Sequence, residues 1–307
     1  MGRENRNEIT AGANGKTALV TGASSGMGLH YAAQLAGYGY NVILVSNQAE
    51  QIKEAAHKIA GKYNCVCIDE AEKTIDNIDK SEEGKGKESC TEHSIKQWIT
   101  GIYKDLSDPH AAEELFGFCQ KNSIEVEVLI NNAGIFFFKD IIDCNINKVA
   151  TIINLHVYTS TMLCRLFGEK MRERKRGYIL NMSSISVHTP YPAISLYTAT
   201  KSYIRTMTKA FRLEMKEFGV RVMVVSPGAV ATDLYNLPAN LQQLGIRLGV
   251  IYRPEKLVGK ALKKLFYTNK KEFVPGAVNH LFKPIYSLLP EWFKMWARKK
   301  TARFKNK

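Results

Sequence analysis

Five short apolar runs, each followed by a stretch of helical periodicity, constrain this chain more than any other feature. The runs are "KTALVT" (16–21), "NVILVS" (41–46), "VEVLIN" (126–131), "GYILNMSS" (177–184) and "VRVMVVS" (220–226). Their apolar residues do not alternate strictly with polar ones, so they read as strands covered on both faces. Between them lie helical stretches such as "GLHYAAQLAGYG" and "QAEQIKEAAHKIAG". Strands and helices in this order build βαβ units and a parallel sheet. The expected fold class is α/β, a doubly wound sheet in one domain, with ligands beyond the carboxyl ends of the strands.

Composition excludes several other classes. With 45% hydrophobic and 23% charged residues, the 307-residue chain reads as globular. Its six cysteines contain no C-x-x-C pair, and buried free thiols in a reducing compartment are the simpler reading. The N-terminal "MGRENRNEITAGANGKT" is polar, without a signal-peptide core, and no run of 18 apolar residues exists to span a bilayer. The expected location is cytoplasmic. No metal site is expected.

Net charge is +14, unevenly spread. Residues 69–97 hold nine acidic and five basic side chains, whereas 283–307 hold eight basic and one acidic. The first is a polar, glycine-interrupted insertion at a sheet edge, too long for an ordinary loop. The expected organisation is a polar tail (1–15), one domain (16–275) with the 69–97 insertion, and a basic aromatic tail (276–307).

Three motifs carry chemistry. "TGASSGMG" (21–28) joins the first strand to a helix, where glycines let the backbone approach a phosphate at a helix N-terminus. "NNAG" (131–134) ends a later strand; its small residues leave room for a flat ring or ribose, or its asparagines satisfy a local turn. Thirteen residues beyond Ser184, the helical "SLYTATKSYIRTMTKAFRLEM" (195–215) puts Tyr197 and Lys201 one turn apart. Residues four apart share a helix face, so the pair is either a surface contact or a proton-transfer site.

In order and spacing these motifs closely resemble the short-chain dehydrogenase/reductase family over roughly residues 16–232. The match comprises T-G-x-x-x-G-x-G at 21–28, N-N-A-G at 131–134, Ser184, Y-x-x-x-K at 197–201 and "SPGAVAT" at 226–232. The resemblance implies a Rossmann-type sheet of about seven strands and hydride transfer between a nicotinamide cofactor and a carbonyl or carbinol carbon. It makes Tyr197 the general acid in reduction, tuned by Lys201, with Ser184 holding the substrate oxygen. Asn154, in "INLHVYTS", is the expected fourth member, positioning a water in a proton relay to the lysine. The expected cofactor contacts are Gly22, Ser24, Ser25, Gly26, Met27, Gly28, Ser46, Asn47, Asp105, Leu106, Asn132, Ala133, Gly134, Tyr197, Lys201, Pro227, Gly228, Val230 and Thr232. Asp105, Ser107 or Asp108 also suits a helix cap. NADP(H) is favoured over NAD(H), because Ser46 and Asn47 stand where a 2′-OH-binding carboxylate would. The resemblance further implies a homodimer or homotetramer through helices near 145–174 and 195–218.

After Thr232, leucines including Leu234 and Leu237 recur at helical spacing, giving an apolar substrate lid at about 233–250 or plain core packing. With Met182, His188 and Tyr191 near Ser184 in the expected substrate pocket, that lid favours a bulky apolar ketone: a 3-oxoacyl chain, a ketosphinganine-like lipid or a steroid. The tail's Trp292, Phe293 and Trp296 among basic residues suit a peripheral membrane contact. Tail and catalytic-helix context are similar to those of 3-oxoacyl-CoA reductases and 17β-hydroxysteroid dehydrogenases. Two alternatives stay open: an NAD-dependent hydroxysteroid or secondary-alcohol dehydrogenase, and a non-catalytic nucleotide-sensing or membrane-docking protein. No nucleic-acid motif is present.

Overall fold

The structure, a computed structural model, describes residues 15–68, 97–188, 191–231, 243, 251–276 and 290–301. Among the described residues eight strands form one parallel sheet: β1 (Thr17–Thr21), β2 (Asn41–Ser46), β3 (Val66–Ile68), β4 (Trp98–Tyr103), β5 (Val126–Asn131), β6 (Gly177–Met182), β7 (Val220–Val225) and β8 (Glu272–Phe273). Their order is β3-β4-β2-β1-β5-β6-β7-β8. Successive strands step outward in one direction from β1 to β2 and in the other from β5 onward. The switch point therefore lies between β1 and β5. The resemblance implies about seven strands. The additional one is β3, three residues that pair in parallel with the start of β4, Val66 opposite Trp98 and Ile68 opposite Thr100.

The helices are α1 (Gly26–Ala36), α2 (Ala49–Tyr63), α3 (Ala111–Lys121), α4 (Ile146–Ile153), α5 (Ser160–Glu173), α6 (Ser195–Lys216), α7 (Pro254–Tyr267) and α8 (Glu291–Thr301). The apolar runs now have a tertiary meaning. Ala18 and Val20 of β1 pack with α1, α2 and α7, while Leu19 between them packs with α3, α5 and α6. The central strands feed two cores, so both of their faces are largely apolar, and polar residues they bury, such as Asn131 and Asn181, are hydrogen-bonded. Helix α7 shows the complementary pattern: Leu257, Val258, Ala261, Leu262, Leu265 and Phe266 bury one face at helical spacing. Burying each large side chain contributes ~1.5–3 kcal/mol. Pro254 at its first turn costs no hydrogen bond there.

Between α4 and α5 the backbone widens into one π-helical segment, Asn154–Thr159. An otherwise continuous helix thus changes register just where it passes the carboxyl ends of the strands. The lid region lies outside the described residues except for position 243, and with it Thr232, Leu234 and Leu237. The insertion lies outside them over 69–96.

Candidate active site

A cleft of about 530 Å³ runs across the carboxyl ends of the sheet. Following the strand order, its walls pass from Ser46, Asn47 and Lys104, past Gly22, Ser25–Met27 and Asn132–Gly134, to Ser184, Tyr197, Lys201 and Pro227. The floor depends on two glycines. Gly22 has φ +64°, and a Cβ there would stand 2.8 Å from the Ala133 Cα. A Cβ on Gly28 would stand 2.0 Å from the Gly22 carbonyl oxygen. Gly28 is a packing glycine beneath the turn and does not line the cleft. Helix α1 opens into the cleft at Ser25, with no acidic residue in its first turn.

Thr21 and Asn132 lock the two loops at the switch point together. The Thr21 hydroxyl accepts from the backbone N–H of Asn132 and Ala133, both at 3.0 Å. In return the Asn132 amide donates to the Thr21 and Gly22 carbonyls at 3.0 and 3.2 Å. Asn132 thus borders the cleft and also satisfies backbone carbonyls across it. Asn131 is buried and donates to Asn181 at 2.8 Å.

At the β6 end, Ser183 is pinned by its N–H to Val225 and by its hydroxyl to the Lys201 carbonyl. The adjacent Ser184 Oγ accepts from the Ser186 N–H at 3.2 Å, which leaves its own proton for another acceptor. Tyr197 is buried among aromatic edges, Phe136 at 4.9 Å between centroids and His156 at 5.9 Å. Lys201 Nζ lies 5.8 Å from the Tyr197 ring centroid and donates to the Met182 carbonyl at 3.1 Å. Burial lowers the Lys201 pKa to about 8. A cation held in so little solvent acts on its neighbours with little screening.

Other expected residues lie around this group or beyond it. The Asn154 amide donates to the Ser107 carbonyl at 3.1 Å. Its side chain thereby fastens the π-helical segment to the 105–108 turn. The imidazole that approaches Lys201 from this segment is His156, which sequence reasoning missed. Tyr191 lines a different hollow, with Ser195, Thr198 and α8 residues Glu291, Lys294 and Met295. His188 ends a short 3-10 turn (Ile185–His188) and is not in the cleft wall. Asp105 borders the cleft and accepts from the Ser107 N–H and hydroxyl, while Asp108 accepts from the His110 N–H ahead of α3. Cleft contact holds, whereas α3 takes His110 as its N-cap without a side-chain cap hydrogen bond, so the two aspartates shape the preceding turn instead. Lys104 was also missed; beside Asp105 in the cleft wall, it pairs with Glu114 at 2.5 Å. Its only sequence signal is its place at the end of β4.

An elongated cleft with a bare helix N-terminus, glycine-floored at its centre and lysine-bearing at its end, fits a nicotinamide dinucleotide. The comparisons with known proteins agree. A family model described as short chain dehydrogenase matches residues 16–76 and 67–240, two segments that meet at the insertion. A very-long-chain 3-oxoacyl-CoA reductase of Rattus norvegicus is 29% identical over 291 residues, 91% of this chain and 77% of that protein. A 17-beta-hydroxysteroid dehydrogenase type 3 of Mus musculus is 27% identical over 223 residues, 72% of this chain and 62% of that protein. Among solved structures, a 7beta-hydroxysteroid dehydrogenase superposes with a TM-score of 0.74 at 22% identity, covering 97% of this chain and 99% of that one. A short-chain dehydrogenase from Sphingobium yanoikuyae in complex with NADPH gives 0.67 at 20% identity, covering 90% and 97%. With its motifs in order on one parallel sheet and the family model matched over most of its length, the chain belongs to the short-chain dehydrogenases, a family of oxidoreductases.

Proposed function

We propose that this oxidoreductase uses NADP(H) to reduce a ketone on a bulky apolar molecule: a 3-oxoacyl chain, a ketosphinganine-like lipid or a steroid. The observation that carries the reading is the meeting of Ser184, Tyr197 and Lys201 at one end of a cleft whose middle is the N-terminus of α1. When bound, the nicotinamide supplies the hydride in reduction or receives it in oxidation. The chain's own side chains do the rest. Ser184 donates to the substrate oxygen and fixes its position. Tyr197 gives that oxygen its proton as the carbonyl becomes an alcohol, and takes it back in oxidation. Protonated Lys201 stabilises the phenolate left behind.

The cofactor choice is supported by the β2 end of the cleft, where Ser46, Asn47 and Gln48 offer no carboxylate and Lys104 adds a cation. The apolar substrate is supported by the activities of the relatives, a very-long-chain 3-oxoacyl-CoA reductase and a 17-beta-hydroxysteroid dehydrogenase. The test follows absorbance at 340 nm with NADPH or NADH and a panel of 3-oxoacyl thioesters, 3-ketosphinganine and keto steroids. NADPH consumed with one ketone class is the expected result, with turnover reduced ~10²–10⁴-fold in Tyr197→Phe. Tight cofactor binding without turnover of any of these ketones removes the substrate proposal. Turnover that survives in Tyr197→Phe removes the proton-transfer role.

Two associations complete the proposal. Exposed Tyr158 and Tyr203, on neighbouring helical segments joined by the 3.0 Å Thr161–Tyr203 hydrogen bond, support self-association through α5 and α6. Light scattering tests it; a monomer at all concentrations refutes it. Among the described residues no helix is long and apolar enough to cross a membrane. Helix α8 instead exposes Trp292, Met295 and Trp296 beside Lys294 and Lys299, which supports a peripheral contact with anionic lipid. Flotation with phosphatidylserine vesicles is the test, and protein left at the bottom of the gradient refutes the contact.

A further inference from the structure

His156 occupies a position whose chemistry the proton-transfer reading does not use. It is fully buried, on the π-helical segment between α4 and α5. Both ring nitrogens have partners: the Ile135 N–H donates to Nε2 at 3.1 Å, and Nδ1 lies 2.9 Å from Thr200 Oγ1. These partners determine the tautomer. Thr200 has one hydroxyl proton, and it goes to the Tyr197 carbonyl at 2.8 Å. The same oxygen must then accept from His156, so Nδ1 carries the hydrogen. Nε2 must carry a lone pair, since its partner is a backbone donor. The ring is neutral, with one proton in one place.

Its partners are what make this more than a satisfied core histidine. Ile135 directly follows Asn132–Gly134 in the cleft wall, and Thr200 sits in the helical turn between Tyr197 and Lys201. The ring itself meets Tyr197 edge to face. A Cβ on Gly134 would lie 2.9 Å from His156 Nε2 and 3.3 Å from Lys201 Nζ, so both nitrogens converge on one glycine. One imidazole therefore spans the cofactor-side loop, the catalytic turn and the tyrosine ring.

We propose that His156 is a positioning residue, a neutral Nδ1–H imidazole that holds the 132–135 loop in register with Tyr197 and Lys201. The claim rests on the proton-transfer reading above, since it acts through those two side chains. The charged group that bears on His156 is Lys201, and Tyr197 is its other titratable neighbour. Burial first, and the Lys201 cation second, hold the imidazole pKa well below its ordinary range. A second proton would set a donor against the Ile135 N–H and a cation beside Lys201.

The first test is long-range ¹H–¹⁵N correlation NMR of histidine-labelled protein, with His156 assigned by loss of its signal in His156→Gln. An Nδ1–H tautomer unchanged from pH 5.5 to 8.5 is expected. An Nε2–H tautomer, or titration near 6.5, overturns the proposal. The second test compares His156→Gln, which keeps an acceptor for the Ile135 N–H, with His156→Leu, which does not. For folded His156→Leu, kcat should fall ~100-fold with the ketone KM little changed, the scale expected of a small misplacement of reacting groups. His156→Gln should recover ~10-fold of that loss and remain ~10-fold slower than the parent, since it restores the acceptor for Ile135 but not the donor to Thr200. Folded His156→Leu with unchanged kcat refutes the role; if that variant does not fold, a His156→Gln no slower than the parent refutes it. Tyr197→Phe, run in parallel, separates the two readings. Turnover that survives in it refutes the proton-transfer chemistry, while the NMR tautomer still decides the His156 geometry.

Discussion

Replacing Lys201 by methionine should abolish turnover and yet make the protein more stable at pH 7. The side chain is buried, and burial holds its pKa at about 8 instead of 10.5. That difference means the folded protein disfavours the ammonium by ~3 kcal/mol relative to the unfolded chain. Methionine removes the charge at similar length, but it also removes the hydrogen bond to the Met182 carbonyl, worth ~1 kcal/mol. The net gain should be ~2 kcal/mol, or roughly 4 °C in Tm for a chain of this size. The pH dependence is the sharper part. Between about 8 and 10.5 the unfolded wild type keeps a proton that the folded wild type has released. Wild-type stability therefore rises with pH through that window, and the variant lacks this contribution. Urea unfolding at a series of pH values should show the variant's advantage constant below about 8 and shrinking above it. A variant less stable than wild type at pH 7, or a gap that does not change from pH 8 to 10.5, would refute the reasoning.

Other perturbations probe the frame around the site. Burial pushes the Glu272 carboxyl up, but hydrogen bonds from Arg205, Lys209 and Ser226 override it and hold the pKa at about 2. Its stabilisation is present above the unfolded value of 4.5 and lost as pH falls toward 2. Glu272→Gln should cost ~2 kcal/mol at pH 7, read by urea unfolding, with a flatter acid limb. Gly28→Ala places a methyl group 2.0 Å from the Gly22 carbonyl oxygen, a backbone atom that cannot swing away. It should lose ~1–3 kcal/mol of stability and at least ~10-fold in dinucleotide affinity by fluorescence titration. Lys104→Ala should raise the KM for NADPH by roughly fivefold, equivalent to ~1 kcal/mol, and leave the KM for NADH unchanged. Equal effects on both cofactors would count against Lys104 as the 2′-phosphate partner.

Much of the architecture was legible in the chain because it is written at short range. A run such as "KTALVT" declares a strand buried on both faces before any partner is known, since Ala18, Leu19 and Val20 cannot all be apolar for one core alone. The motifs were legible for a related reason: a glycine turn before a helix, or a Tyr and Lys one turn apart, has meaning within a few residues. All the described residues expected on the cofactor side line the cleft, apart from Gly28 under its floor. Three features were decided by tertiary structure. Strand β3 has three residues, too few for a period, and exists through its pairing with β4. Tyr191 follows the catalytic strand closely, yet it turns toward a hollow shared with α8. Asn154 and His156 stand two residues apart in one helical stretch, and nothing local says which partner each will take. A widened helical turn fastens Asn154 to Ser107 and His156 to Ile135 and Thr200. Local periodicity specifies which elements form. The direction a polar side chain takes within one depends on hydrogen-bond partners 20 to 50 residues away, which no local pattern contains.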